Sequence, residues 1–128
     1  MTKRSILILS FSLAVLLWVL NQVALAFYLY WTLDWYDIMM HFLGGLTIGV
    51  FLICIFRIAN VSTRSFLVVF LLAMFISIDW EIFEYVNDIV DPTENYAIDT
   101  AYDLVMDALG ITAAYLSTNV RKPIQESS

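Results

Sequence analysis

Four long apolar stretches, separated by three short polar connections, make up most of this chain. They cover about residues 6–31, 37–58, 66–87 and 99–120. Each holds roughly 20 residues or more, which as α-helix at about 1.5 Å per residue reaches the roughly 30 Å of a bilayer's hydrocarbon core. Short connections force consecutive helices to run antiparallel. The expected fold is therefore all-α: an integral membrane four-helix antiparallel bundle, with residues 1–128 forming a single transmembrane domain. Within the first stretch, Asn21 and Gln22 interrupt the apolar run and are expected to face other helices, because lipid offers no hydrogen-bond partners. Gly45 and Gly49 form a small-xxx-small pair that lets another helix approach closely. Between the third and fourth stretches, Asp91-Pro92-Thr93-Glu94 has the form of a helix start, which suggests a short interfacial helix. The tail after Pro123 is polar and is expected to fray.

Composition supports this reading. The chain has 128 residues, 62% hydrophobic and 14% charged. A soluble domain carries about a quarter charged residues, so too few are present here to cover a water-facing surface. Lys3 and Arg4 followed by an apolar run and Ala24-Leu25-Ala26 also resemble a signal peptide. The run continues through Trp31, however, and is long enough to span, so an uncleaved first helix is expected. Cys54 is the only cysteine, which excludes an internal disulfide and a thiolate-rich metal motif. No basic patch suggests nucleic acid as a partner.

The charges are sorted by side. Lys3, Arg4, Arg57, Arg64, Arg121 and Lys122 all lie at the N-terminus, around the middle connection or at the C-terminus. Eleven of the twelve acids lie in the other two connections or on the helix ends that flank them. The positive-inside rule then puts both termini in the cytoplasm of an inner-membrane, multi-pass protein. Tyr28, Tyr30, Trp31, Trp35, Tyr36, Trp80, Tyr85, Tyr96 and Tyr102 crowd the outer ends as an expected aromatic belt.

The acids form stripes at helical spacing. Asp37 and His41, the only histidine, are four apart. Ser77, Glu81, Glu84 and Asp88 share one face of the third helix, and Asp99, Asp103 and Asp107 step by four along the fourth. Asp107 lies about 12 Å deeper than Asp99 at 1.5 Å per residue, too deep for an interface residue. Clustered carboxylates in a low-dielectric setting need a cation, protons or water, and no Lys or Arg lies on this side to pair with them. The expected metal ligands are Asp37, His41, Glu81, Glu84, Asp103 and Asp107, with Asp99 weaker. One imidazole among many oxygens suits a divalent Mg²⁺, Mn²⁺, Ca²⁺, Zn²⁺ or iron ion. Asp34 and Asp88 are expected in water. Asp91 and Glu94 are expected as helix caps, Asp99 as a cap or dipole partner of the last helix, and Asp79 as a residue off the acidic face, paired with a backbone or tyrosine group.

Three motifs carry a resemblance: Tyr36-Asp37-x-x-x-His41-Phe42-x-Gly44, Trp80-Glu81-x-x-Glu84-Tyr85, and Asp99-Thr100-x-x-Asp103-Leu104-x-x-Asp107-x-x-Gly110. They look like those of the YjdF-like bacterial inner-membrane family, over roughly residues 34–116. Their order is more loosely similar to VanZ-like membrane proteins, where Asn stands in place of Asp107 and Gln tends to stand in place of Glu84. The resemblance implies membrane topology and a shared acidic site, and it assigns no reaction.

Three functions fit these residues. The first is a metal-dependent enzyme at the outer leaflet, acting on a lipid-like or cell-wall-precursor substrate, in which one carboxylate serves as general base. The second is a cation- or proton-binding or transport protein, which with only four helices would need a homo-oligomer. The third is a structural membrane subunit.

Overall fold

The computed structural model describes residues 1–61, 65–87 and 95–118. Asp88, Asp91, Glu94, the expected interfacial helix and the tail after Pro123 lie outside them. All regular structure among the described residues is helical: α1 (Lys3–Phe27), α2 (Leu29–Thr32), α3 (Asp34–Ile58), α4 (Phe66–Val86) and α5 (Tyr96–Thr118). Of these, α1, α3 and α4 are long and apolar enough to cross a membrane. Their outer surfaces show why: Phe11, Trp18, Leu67, Phe75 and many other large apolar side chains are exposed. A protein in water rarely leaves so much contiguous apolar surface uncovered. α5 is of similar length, but its N-terminal half carries Asp99, Asp103 and Asp107.

Local chemistry sets the helix ends. Thr2 caps α1, its Oγ1 accepting from the Ser5 amide at 3.1 Å. α1 stops at Phe27 because Tyr28 takes a left-handed conformation, φ 56°, uncommon for a residue that is not Gly or Asn. The chain then turns through α2 and enters α3 at Asp34, with Asp34 and Asp37 both in the first turn, where carboxylates favour the helix dipole. The expected loop over 32–36 is thus mostly helical. Asn95, rather than Asp99, caps α5: its Oδ1 accepts from the Ala97 amide at 3.2 Å, while Asp99 sits in the first helical turn.

Two packed clusters order the long helices. Ile6, Val50, Ile53, Cys54, Val69 and Ala114 form one. It joins the start of α1, the end of α3, the start of α4 and the end of α5, so these four helices alternate in direction. Basic side chains close the same end: Arg57 Nη2 donates to the Thr118 carbonyl at 2.6 Å, and Lys3 Nζ to Asn60 Oδ1 at 2.6 Å. Ala24, Tyr36 and Met40 form the second cluster near the other end.

α3 and α5 make the closest pairing. A methyl at Gly45 would overlap the Asp107 backbone, and one at Gly110 would overlap the Phe42 carbonyl. A methyl at Gly49 would sit 2.7 Å from the Ala114 Cβ. The helix admitted by the Gly45–Gly49 pair is therefore α5. Its approach delivers Asp107 to α3. α1 and α4 each pack against α3 but scarcely against each other.

Candidate metal centre

The i, i+4 spacing on α3 sets His41 one turn below Asp37, facing α5 and α4. Four carboxylates surround its ring. On one edge, Nε2 lies 3.9 Å from Asp37 Oδ1 and 3.8 Å from Asp103 Oδ1. On the other, Nδ1 lies 3.4 Å from Asp107 Oδ2 and 3.8 Å from Glu81 Oε1. His41, Glu81, Asp103 and Asp107 are all buried, at 2–7% exposure. Asp37 and Glu84 are half-buried. Among the described residues, no lysine or arginine side chain lines the adjoining cavity.

Two ligand triads emerge. Asp37, His41 and Asp103 offer one atom each, all mutually within 4.8 Å, and so do His41, Glu81 and Glu84. Ligand bonds of about 2.0–2.2 Å place opposed donor atoms near 4 Å apart, so a shift of less than an ångström would close either triad on an ion. Each triad also contains a buried oxygen with no hydrogen-bond partner, Asp103 Oδ1 in one and Glu81 Oε1 in the other. Buried polar atoms are normally satisfied. Two orphaned carboxylate oxygens facing one imidazole leave room for a cation, a proton or water to satisfy them.

The remaining acids divide by position. Asp99 lines the cavity and belongs to neither triad. Asp34 and Asp79 are exposed and also line it. Asp107 gives His41 its shortest contact, and its Oδ1 lies over Gly44, where a methyl would come within 3.7 Å. Ser77, one turn before Glu81, is buried at 1% exposure with its hydroxyl unpartnered.

The cluster, Asp103 apart, lines one wall of a cavity of about 1170 Å³. α1 supplies Leu17, Trp18, Asn21 and Leu25 to this cavity. Sequence reasoning gave α1 no site residue, and the signal available was Asn21 in an apolar run. Asn21 Oδ1 accepts from the Tyr30 hydroxyl at 2.9 Å. Burial, with Asp37 adding to it, pushes the Tyr30 hydroxyl up to about 12, so it stays protonated and keeps donating. Gln22, expected to face other helices, is exposed instead, because the 100° step from Asn21 turns it out of the cavity. Tyr36, expected in the aromatic belt, is buried and its hydroxyl donates to the Leu20 carbonyl at 3.0 Å. Tyr28, Trp31, Trp35, Trp80, Tyr85 and Tyr102 are exposed at this end.

Residues 3–122 match the family described as Predicted membrane protein (DUF2238). The chain belongs to that family. No curated protein and no solved structure matches it.

Proposed function

We propose that this chain, as a membrane protein of that family, binds a divalent metal ion through His41 and the carboxylates of α3, α4 and α5. The observation that carries the reading is the pair of buried, unpartnered oxygens, Glu81 Oε1 and Asp103 Oδ1, on opposite edges of one imidazole. Asp37, His41, Glu81, Glu84 and Asp103 are the ligand candidates of the two triads; Asp107, outside both triads, is a candidate as a ligand or as the carboxylate that orients the imidazole, and Asp99 lies farther out. The donor set suits Mg²⁺, Mn²⁺, Ca²⁺, Zn²⁺ or iron.

In this proposal α5 is a fourth crossing, its acids turned inward. The four long helices form an antiparallel bundle in the inner membrane. The basic residues, Lys3 and Arg57 among them, lie on the cytoplasmic side with both termini, and the acidic site lies toward the outer face. The motif likeness to YjdF-like and VanZ-like membrane proteins supports the same arrangement. A bound ion would polarise a substrate or activate water there, with a carboxylate outside the coordination sphere as general base. The cation or proton transport alternative draws less support, because the Ile6–Val69 cluster fills the space below the site.

Elemental analysis of the detergent-purified full chain, with thermal melting before and after chelation, tests the proposal. A stoichiometric divalent ion is expected, and restoring it at 100 times its Kd should add about 2.7 kcal/mol of stability. Metal-free protein whose melting ignores every added divalent ion would reject it.

A further inference from the structure

The cavity extends far beyond the cluster. From Leu25 it follows α1 down to Ala14, where it is walled by Ile48 on α3 and Ile76 on α4. The eleven steps from Ala14 to Leu25 span about 16 Å at 1.5 Å per residue. Half of a bilayer's hydrocarbon core is about 15 Å. The groove is therefore one leaflet deep. It ends where Ile6 and Val69 join the packed cluster that seals the opposite half. Its side is open because α1 and α4 scarcely touch. Its volume, about 1170 Å³, exceeds the roughly 300–1,000 Å³ of pockets for drug-sized ligands.

The two ends differ in chemistry. The lower walls are mainly apolar, while among the described residues seven carboxylates and one histidine line the rest, with no lysine or arginine. Ser77 and Glu81, whose hydroxyl and Oε1 are buried without a partner, line it between the two regions. Exposed Asp34 and Asp79 add negative charge at this end outside both triads, so an anionic head group is disfavoured and an ammonium is complementary.

We propose that the groove between α1 and α4 admits an amine-headed phospholipid sideways from the leaflet on the acidic side. Its chain lies along Ala14, Leu17, Trp18 and Ile76, and its head lies at the carboxylates. This deepens the metal-site reading and rests on it for any chemistry at the head group. Asp34 and Asp79 are exposed at the cavity and belong to neither triad, so their charge bears on the head group and not on the ion.

Native mass spectrometry of the detergent-solubilised full chain tests this, using phosphatidylethanolamine and phosphatidylglycerol with identical chains and measuring Mn²⁺ stoichiometry in parallel. One phosphatidylethanolamine should be retained, about tenfold more tightly than phosphatidylglycerol. Ala14 and Ile76 are exposed, so Ala14→Phe and Ile76→Trp should fold. Each should fill the groove and cut retention about tenfold, with Mn²⁺ stoichiometry unchanged. The double substitution Asp34→Asn with Asp79→Asn should erase the head-group preference. Equal retention of both lipids, or retention indifferent to both groove-filling variants, would overturn the proposal. So would a dimer that takes no lipid, which would assign the groove to a second copy. Failure to bind any of Mg²⁺, Mn²⁺, Ca²⁺, Zn²⁺ or iron, with lipid retention intact, would sink the metal reading alone.

Discussion

His41 Nδ1 lies 3.4 Å from Asp107 Oδ2, a contact that joins α3 to α5 across 66 positions of sequence. If Nδ1 carries the ring proton and gives it to Asp107, the Nε2 lone pair is left facing Asp37 and Asp103. This is the carboxylate–histidine–metal arrangement, in which the outer carboxylate fixes the tautomer and raises ligand basicity. Asp107→Asn nearly preserves shape but removes that charge. It should weaken binding of the resident ion by about 10–100-fold, read by titrating chelated protein, while His41→Ala should abolish it. An Asp107→Asn protein with unaltered affinity would remove Asp107 from the site.

Glu81 Oε1 and Asp103 Oδ1 predict opposite effects in metal-free and metal-loaded protein. A buried carboxylate oxygen without a partner is costly, and removing its charge relieves that cost. Chelated Glu81→Gln should therefore be more stable than chelated wild type by about 1–3 kcal/mol. The same variant should gain little when the ion is restored. Parallel melting curves with and without the ion check both signs. A variant less stable than wild type in both states would make Glu81 a structural hydrogen-bonding residue.

The acidic site was legible because helical periodicity is rigid. Asp37 with His41, Ser77 with Glu81 and Glu84, and Asp103 with Asp107 recur at three or four residues. Any antiparallel packing that buries those faces brings them together. Gly45 and Gly49 likewise announced a close helix approach, although not that α5 makes it. Other features depend on relations that periodicity does not encode. Tyr28 ends α1 with no Gly or Pro to mark the break. Tyr36 goes inside because Leu20 presents a carbonyl to it. The groove is a gap between α1 and α4, and a gap has no sequence signature of its own.

Neighbouring glycines on α3 should behave differently. At Gly45 a methyl overlaps the Asp107 backbone, whereas at Gly44 it would rest 3.7 Å from Asp107 Oδ1, an ordinary contact. Gly45→Ala must push α5 away and should cost about 1–3 kcal/mol or more, as overpacking does. It should also weaken ion binding by displacing Asp103 and Asp107. Gly44→Ala should melt within about 1 kcal/mol of wild type, helped by the better helix propensity of alanine. Equal tolerance of both substitutions would contradict the close α3–α5 pairing.

The sorting of charge between the two ends predicts orientation. Lys3 and Arg57 lie at the end where α1 begins and α3 and α5 finish, and Lys3 holds Asn60 there. Trp31 and Trp35 lie at the acidic end and are exposed. Cys54 is buried and is the chain's only cysteine, so Cys54→Ala provides a clean background for labelling. In intact cells a membrane-impermeant maleimide should label Trp31→Cys and leave Asn60→Cys unlabelled until the membrane is opened. Positive residues resist translocation, so adding lysines at Trp31 and Trp35 should lower the labelled fraction at an external cysteine by weakening the charge bias. Labelling of Asn60→Cys but not Trp31→Cys in intact cells would invert the topology and put the acidic site on the cytoplasmic face, without altering its geometry.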